Sequence, residues 1–355
     1  MRIIFLATSV GPIGSGIGGG VELTMRSLAD GLTRLGHEVS VVAPSGSRLG
    51  DHRLIEVDGA LHVPSQTLDR STSPVVPDNS VLVNMWQQVA ELTHVGDYDV
   101  VLNFAYDMLP FVSAGQSAVP VAHLVSMGSL SNEMDHAVAT AIERDAKSVA
   151  MHSHAQAETF GAAIATQVTV VASGINLDAY RFVATPSSDL AFVARISREK
   201  GIDDAFAVAA ATGRRLRVFG VMEDAIAWNA AVSHWPDANV EHAGFLTTNE
   251  LQRRLGECAA LIMVHKWVEA FGNVAIEALA CGVPVITYDR GGPTEIVRDG
   301  VTGFVVEPDR PDLVADAVSR LGAIDRRQCR ADAEQRFSDA AFAMRVEQWL
   351  AALVG

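Results

Sequence analysis

Short runs rich in Val, Ile and Leu alternate with longer stretches of helical spacing along almost the whole chain. The runs read as strands over residues 2–7, 38–43, 99–104, 119–125, 148–152 and 168–172 in the first half. In the second half they fall at 190–196, 216–219, 239–243, 261–264 and 284–287. Helical spacing occupies 21–35, 81–92, 132–145 and 155–163, then 203–212, 249–257, 273–280, 293–298 and 312–321. Such alternation predicts α/β architecture, with parallel sheets covered by helices on both faces. Ligand sites in such sheets lie beyond the C-terminal ends of the strands.

The pattern divides near residues 178–189, which include Pro186-Ser187-Ser188. We therefore expect one Rossmann-like domain over 1–180 and another over 186–337. A last amphipathic stretch has an apolar face around Phe342, Val346, Trp349 and Leu353. It follows the second set of strands, so residues 338–355 are expected to pack back onto the first domain. At 355 residues the chain exceeds what one hydrophobic core usually serves.

Charge removes several function classes. The formal net charge is −15, which disfavours nucleic acid and lasting residence on an anionic membrane surface. No run approaches the ~20 apolar residues of a membrane span. The three cysteines, Cys258, Cys281 and Cys329, suit a reducing, cytoplasmic setting without disulfides. His152 and His154 form a close pair, but no H-E-x-x-H motif accompanies them, and no metal is expected.

Residues 11–20 read Gly-Pro-Ile-Gly-Ser-Gly-Ile-Gly-Gly-Gly, between the first strand and the first helix. Gly14, Gly16 and Gly19 satisfy G-x-G-x-x-G. The second strand, however, ends in Val41-Val42-Ala43-Pro44-Ser45, without the acid that a dinucleotide ribose requires. This disfavours a nicotinamide-dependent oxidoreductase. Gly18, Gly19 and Gly20, next to a helix N-terminus, are better placed to offer N–H groups to a phosphate. The alternative is a plain surface loop.

Three second-half segments sit at strand tips. Arg195, Arg198 and Lys200 crowd one turn, which is either a diphosphate site or a solvated charged turn. Glu269 and Glu277 bracket Phe271-Gly272-Asn273 at a helix start. Glu277 lies among Val274, Ala275, Ile276, Ala278 and Leu279, so its carboxylate needs a partner. A ribose diol would serve, and the helix N-terminus at Gly272 favours a phosphate. Asp289-Arg290-Gly291-Gly292-Pro293 is open between a structural turn and a functional one.

Taken together, these residues resemble the retaining glycosyltransferases of the GT-B fold, specifically glycosyltransferase family 4 (glycosyl transferases group 1). The most specific part is Glu269–Pro284, similar to the family's E-x7-E stretch, continued by Gly291–Val297 and Asp299–Phe304. The resemblance implies two Rossmann-like domains facing across a cleft, an acceptor domain followed by a nucleotide-sugar donor domain. It implies transfer of a sugar from an NDP-sugar, UDP-linked by expectation, to an acceptor hydroxyl with retention and without metal. Arg195 and Lys200 match its diphosphate-binding pair, Glu277 its ribose-binding acid and Glu269 its sugar-binding acid. Phe271, Gly272 and Asn273 match its backbone donors, and Gly19 and Gly20 its glycines near the diphosphate. Gly244, Phe245 and Leu246 fall where the base is read. The family's first-domain histidine corresponds here to Ser126. His123 lies three residues earlier and is either a core residue or a substitute. Two rival readings survive: a catalytically silent sugar-nucleotide-binding protein and a GT-B sugar-nucleotide epimerase. The acceptor (small molecule, glycan or lipid) is expected to meet loops 46–79 and 127–135.

Overall fold

The computed structural model describes residues 1–16, 19–64, 69–72 and 75–355. They form two compact units, one of Met1–Gly174 with Asp339–Gly355, the other of Ile175–Ser338.

Among the described residues, the first unit holds seven strands: β1 (Arg2–Leu6), β2 (Glu38–Pro44), β3 (Arg53–Val57), β4 (Val100–Asn103), β5 (Val121–Val125), β6 (Val149–Met151) and β7 (Thr169–Val170). All pair in parallel, in the order β3-β2-β1-β4-β5-β6-β7. Alternation along β1 distributes its side chains between two cores. Ile3 and Phe5 join Met25, Leu28 and Leu32 of helix Gly20–Arg34. Ile4 and Leu6 join Leu82, Met85 and Val89 of helix Val81–Val95.

The last helix, Asp339–Val354, belongs to this unit. Phe342, Val346, Trp349 and Leu350 are buried in the first of those cores. Full burial of one such side chain contributes about 1.5–3 kcal/mol. The Trp349 indole N–H donates to the carbonyl of Lys147 at 2.6 Å, and Arg34 pairs with Asp339 at 2.6 Å.

The second unit holds β8 (Leu190–Val193), β9 (Leu216–Phe219), β10 (Val240–Gly244), β11 (Ala260–Met263), β12 (Val285–Tyr288) and β13 (Gly303–Val306). They too are parallel, ordered β10-β9-β8-β11-β12-β13. In both sheets the order reverses beside the unit's first strand, between β1 and β4 and between β8 and β11.

Several elements differ from the sequence expectation. The division falls after Gly174 rather than near 180. Ile175 N donates to Phe337 O at 2.9 Å and the Tyr180 hydroxyl to Glu277 at 2.7 Å, which ties 175–180 to the second unit. The stretch 155–163 is two short helices, His154–Glu158 and Ala162–Ala165, broken at Gly161. Helix Arg326–Arg336 gave no apolar signal because its buried face includes Arg326 and Asp332 beside Cys329 and Ala333. β3 is an edge strand whose half-buried alternation spans five residues.

Candidate functional site

The reversal between β8 and β11 is where an open parallel sheet offers a crevice. The β8 tip runs through Arg195 into a one-turn helix, Arg198–Lys200. The β11 tip runs through His265, Lys266 and Trp267 to Glu269. Gly201 permits the two tips to approach: its φ is +79°, and a Cβ there would overlap the carbonyl of Val264.

Across this point Lys200 Nζ meets Glu269 Oε2 at 2.6 Å, with side chains 16% and 19% exposed. The Trp267 indole N–H donates to the same oxygen at 3.1 Å. The Lys200 ammonium also sits 4.5 Å from the centre of the Trp267 ring. Burial pushes the Glu269 carboxyl up, but the charge and hydrogen bond of Lys200 outweigh it and hold it below its ordinary value. His265 is buried, which lowers its pKa, and its Nε2 lies 2.6 Å from the carbonyl of Arg290. Arg195 is half-exposed, bonded to Glu223 and 3.6 Å from Glu199. It lies on the same strand tip as Lys200.

Glu277 occupies helix Asn273–Ala280, which begins at Gly272. Only 8% of Glu277 is exposed, so it is not a surface acid. Its Oε1 accepts from the Tyr180 hydroxyl at 2.7 Å, and no other hydrogen bond reaches its carboxyl among the described residues. Burial pushes the carboxyl up to about 7, against the lowering effect of the Tyr180 bond. Phe271 is buried, with its ring 6.1 Å from that of Phe337.

The turn Arg290-Gly291-Gly292 has a structural task. Gly292 N donates to Glu269 O at 2.8 Å. Gly291 has φ +79°, and a Cβ there would lie 2.5 Å from Glu269 O. The turn thus seats the loop that carries Glu269. Gly244, Phe245 and Leu246 lie at the tip of β10, two strands from β8 and so about 10 Å away. Phe245 is 65% exposed.

In the first unit the glycine loop is partly satisfied from within. Glu22 Oε2 accepts from Gly14 N at 2.6 Å and from Gly16 N at 3.2 Å. Those two donors are therefore engaged by an internal carboxylate. Gly19 and Gly20 are exposed at the start of helix Gly20–Arg34, whereas Gly18 lies outside the described residues.

His123 is 1% exposed in the middle of β5. Its ring stacks on Phe111 at 4.0 Å, and its Nδ1 lies 3.2 Å from Asn103 Nδ2. Burial, helped by the charge of Arg144, brings its pKa down to about 3. The ring is a neutral packing element. Ser126, just past the β5 tip, is half-buried, and its hydroxyl makes no hydrogen bond among the described residues. Gln156 holds the backbone on either side of it, donating to Val125 O at 2.8 Å and Met127 O at 2.9 Å. His152 is also buried, with its pKa lowered to about 4.

Sequence reasoning missed Tyr180 and Trp267. A buried acid at Glu277 implied a partner, but nothing in the chain pointed to a residue 97 positions away.

Two parallel α/β units of this order are the GT-B arrangement. The solved structure of HepE from Anabaena in complex with UDP-glucose has it, with a TM-score of 0.73 over 99% of this chain and 100% of that one at 19% identity. The family model for glycosyl transferases group 1 matches residues 182–341, and that for glycosyltransferase family 4 matches 18–179. The chain belongs to this glycosyltransferase family.

The curated relatives it matches are longer. Glycogen synthase of Mycobacterium tuberculosis is 32% identical over 232 residues, 60% of this chain and 55% of that protein. Sucrose synthase 6 of Arabidopsis thaliana is 36% identical over 84 residues, 24% of this chain and 8% of that protein. No helix among the described residues is long and apolar enough to cross a membrane.

Proposed function

We propose that the chain transfers a glycosyl group from an NDP-sugar to an acceptor hydroxyl with retention of anomeric configuration, and that the nucleotide is UDP. The observation that carries this reading is the Lys200–Glu269 pair at the β8–β11 reversal, followed at once by the helix that buries Glu277. HepE, of the same fold, was solved with UDP-glucose, which supports the choice of nucleotide.

In this reading the second unit takes the donor and the first the acceptor. Glu277 accepts hydrogen bonds from the ribose diol through the oxygen that Tyr180 leaves available. Lys200, Arg195 and the helix N-terminus at Gly272 stabilise the negative charge that grows on the leaving diphosphate. Phe271 and Asn273 contribute backbone N–H groups. Glu269 orients the transferred sugar's hydroxyls and keeps Lys200 in place. Gly244, Phe245 and Leu246 border the base. The bond from the anomeric carbon to the diphosphate oxygen breaks as the acceptor oxygen bonds on the same face. The acceptor proton passes to the departing phosphate oxygen. His123 has no role in this step, and Ser126 is the polar group left at the β5 tip. NMR of the product's anomeric centre tests the route, because an inverted linkage excludes same-face attack.

One observation favours a second reading, that of a catalytically silent sugar-nucleotide binder. Ser126 stands where the family carries histidine, and His123 is sealed in the core. Such a protein binds NDP-sugar and leaves it intact with every acceptor.

A further inference from the structure

The two first-unit loops expected to meet the acceptor are joined in the structure. The described residues between β3 and helix Val81–Val95 (58–64, 69–72 and 75–80) form a strap at the C-terminal end of the sheet. It is pinned at three strand tips. His62 N donates to Ser9 O past β1 at 3.0 Å. The His62 ring lies between Asp107 past β4 and Ser80, at 2.8 Å from Oδ2 and 2.7 Å from Oγ. Arg70 donates to Ser129 O at 3.0 Å and Asn132 Oδ1 at 2.9 Å past β5, and pairs with Asp135. Asn132 N returns a bond to Arg70 O at 3.2 Å.

These pins set an apolar surface beside the reversal between β1 and β4. Leu61 and Val63 flank His62, and both are exposed. Met108 follows Asp107, and Val112 lies one helical turn further on the same face of helix Met108–Ser113; both are exposed. Scattered exposed apolar residues are ordinary, but a group at the ligand-bearing end of a parallel sheet is not.

The charges nearby narrow the ligand. Asp58, Asp69 and Asp78 of the strap are exposed; helix Met108–Ser113 carries no charged residue of its own, and one cation, Arg144, donates to its Phe111 carbonyl at 3.2 Å. The strap's cation, Arg70, is neutralised by Asp135. A phosphorylated or carboxylated acceptor, or an anionic lipid surface, would face net negative charge here.

We infer that this surface recognises a small soluble acceptor, a hydroxyl compound with an apolar body and no negative charge. His62 and Arg70 act as positioning residues that hold the strap. The inference rests on the reading of the chain as a glycosyltransferase whose first unit takes the acceptor.

The test is equilibrium binding to the full chain of three matched probes: 4-hydroxybiphenyl, its 4′-aminomethyl derivative and its 4′-carboxylate. Vesicles of phosphatidylcholine and phosphatidylglycerol are included, and UDP is titrated separately. The neutral and cationic probes should bind at least tenfold more tightly than the carboxylate, and the protein should not sediment with vesicles. Val63→Glu and Met108→Glu should each weaken 4-hydroxybiphenyl about tenfold and leave UDP affinity unchanged, which also reports that the chain is folded. Should Val63→Glu lose UDP binding, the milder Val63→Ser replaces it. Equal binding of the carboxylate, sedimentation with vesicles, or indifference of the probes to the surface variants overturns the inference. Probe binding without UDP binding leaves this surface standing and removes the donor-site reading; UDP binding without probe binding does the reverse.

Discussion

The Tyr180 hydroxyl donates to Glu277 Oε1 at 2.7 Å inside the second unit, 97 residues away along the chain. Burial alone raises this carboxyl, and the tyrosine is the protein group that offsets the cost of ionising it. Tyr180→Phe removes that donor and leaves a buried oxygen short of a partner. The expected loss of stability is about 1–3 kcal/mol, read from urea unfolding. A loss below a few tenths of a kcal/mol would show that the bond does not carry the site.

The raised acid predicts a pH dependence. Its ordinary value is 4.5 and its folded value about 7, so the fold favours the protonated form. Its contribution is fully present below pH 4.5 and is lost as pH rises through 7, a change of about 3 kcal/mol. Glu277→Gln keeps the shape and removes the titration. Stability of the variant should fall less than that of the parent between pH 5 and 8. Parallel curves for the two proteins contradict the assignment.

Nucleotide binding runs the other way. Ribose hydroxyls donate to the ionised carboxylate, so UDP affinity should rise from pH 6 to 8 in the parent more steeply than in Glu277→Gln. The comparison cancels ionisation of the phosphates themselves. An identical pH dependence in both proteins would separate Glu277 from the ribose.

Trp267 touches both members of the Lys200–Glu269 pair. Trp267→Phe keeps a ring under the ammonium and deletes the indole donor. It should lower kcat severalfold while UDP affinity changes little. Lys200→Ala should weaken UDP at least tenfold, because it removes a charge from the diphosphate site and frees Glu269. Unchanged affinity in both Lys200→Ala and Arg195→Ala refutes the diphosphate assignment.

Gly291→Ala should destabilise the second unit by about 1–3 kcal/mol, since its φ is +79° and the new Cβ would press on the Glu269 backbone. Thermal unfolding checks this. A neutral change would mean that the turn gives way and does not seat Glu269.

Much of this molecule was legible in the chain where local pattern and burial coincide. Parallel strands buried on both faces read as apolar runs, which is why β1, β5 and β12 stand out. Edge and polar-faced elements do not: β3 and helix Arg326–Arg336 bury charged or half-exposed positions that periodicity scores as loop. The turn of Lys200 and the loop of Glu269 were legible as strand-tip segments, but their contact was not, because β9 and β10 intervene in the chain. Tyr180, by contrast, sits in what reads as a linker, and its contact depends on tertiary packing. Gly14 and Gly16 satisfy G-x-G-x-x-G in the sequence, but Glu22, two residues into the next helix, folds back onto their amides. Such a return contact leaves no trace in spacing.

The central claim is a nucleotide-sugar site on the second unit, and calorimetric titration with UDP, GDP, ADP and dTDP without added metal tests it most directly. The account predicts that UDP binds selectively, and that Glu277→Ala, shown to be folded by circular dichroism, loses at least tenfold in affinity. Absence of binding by all four to the folded protein, or full affinity in Glu277→Ala, would contradict it.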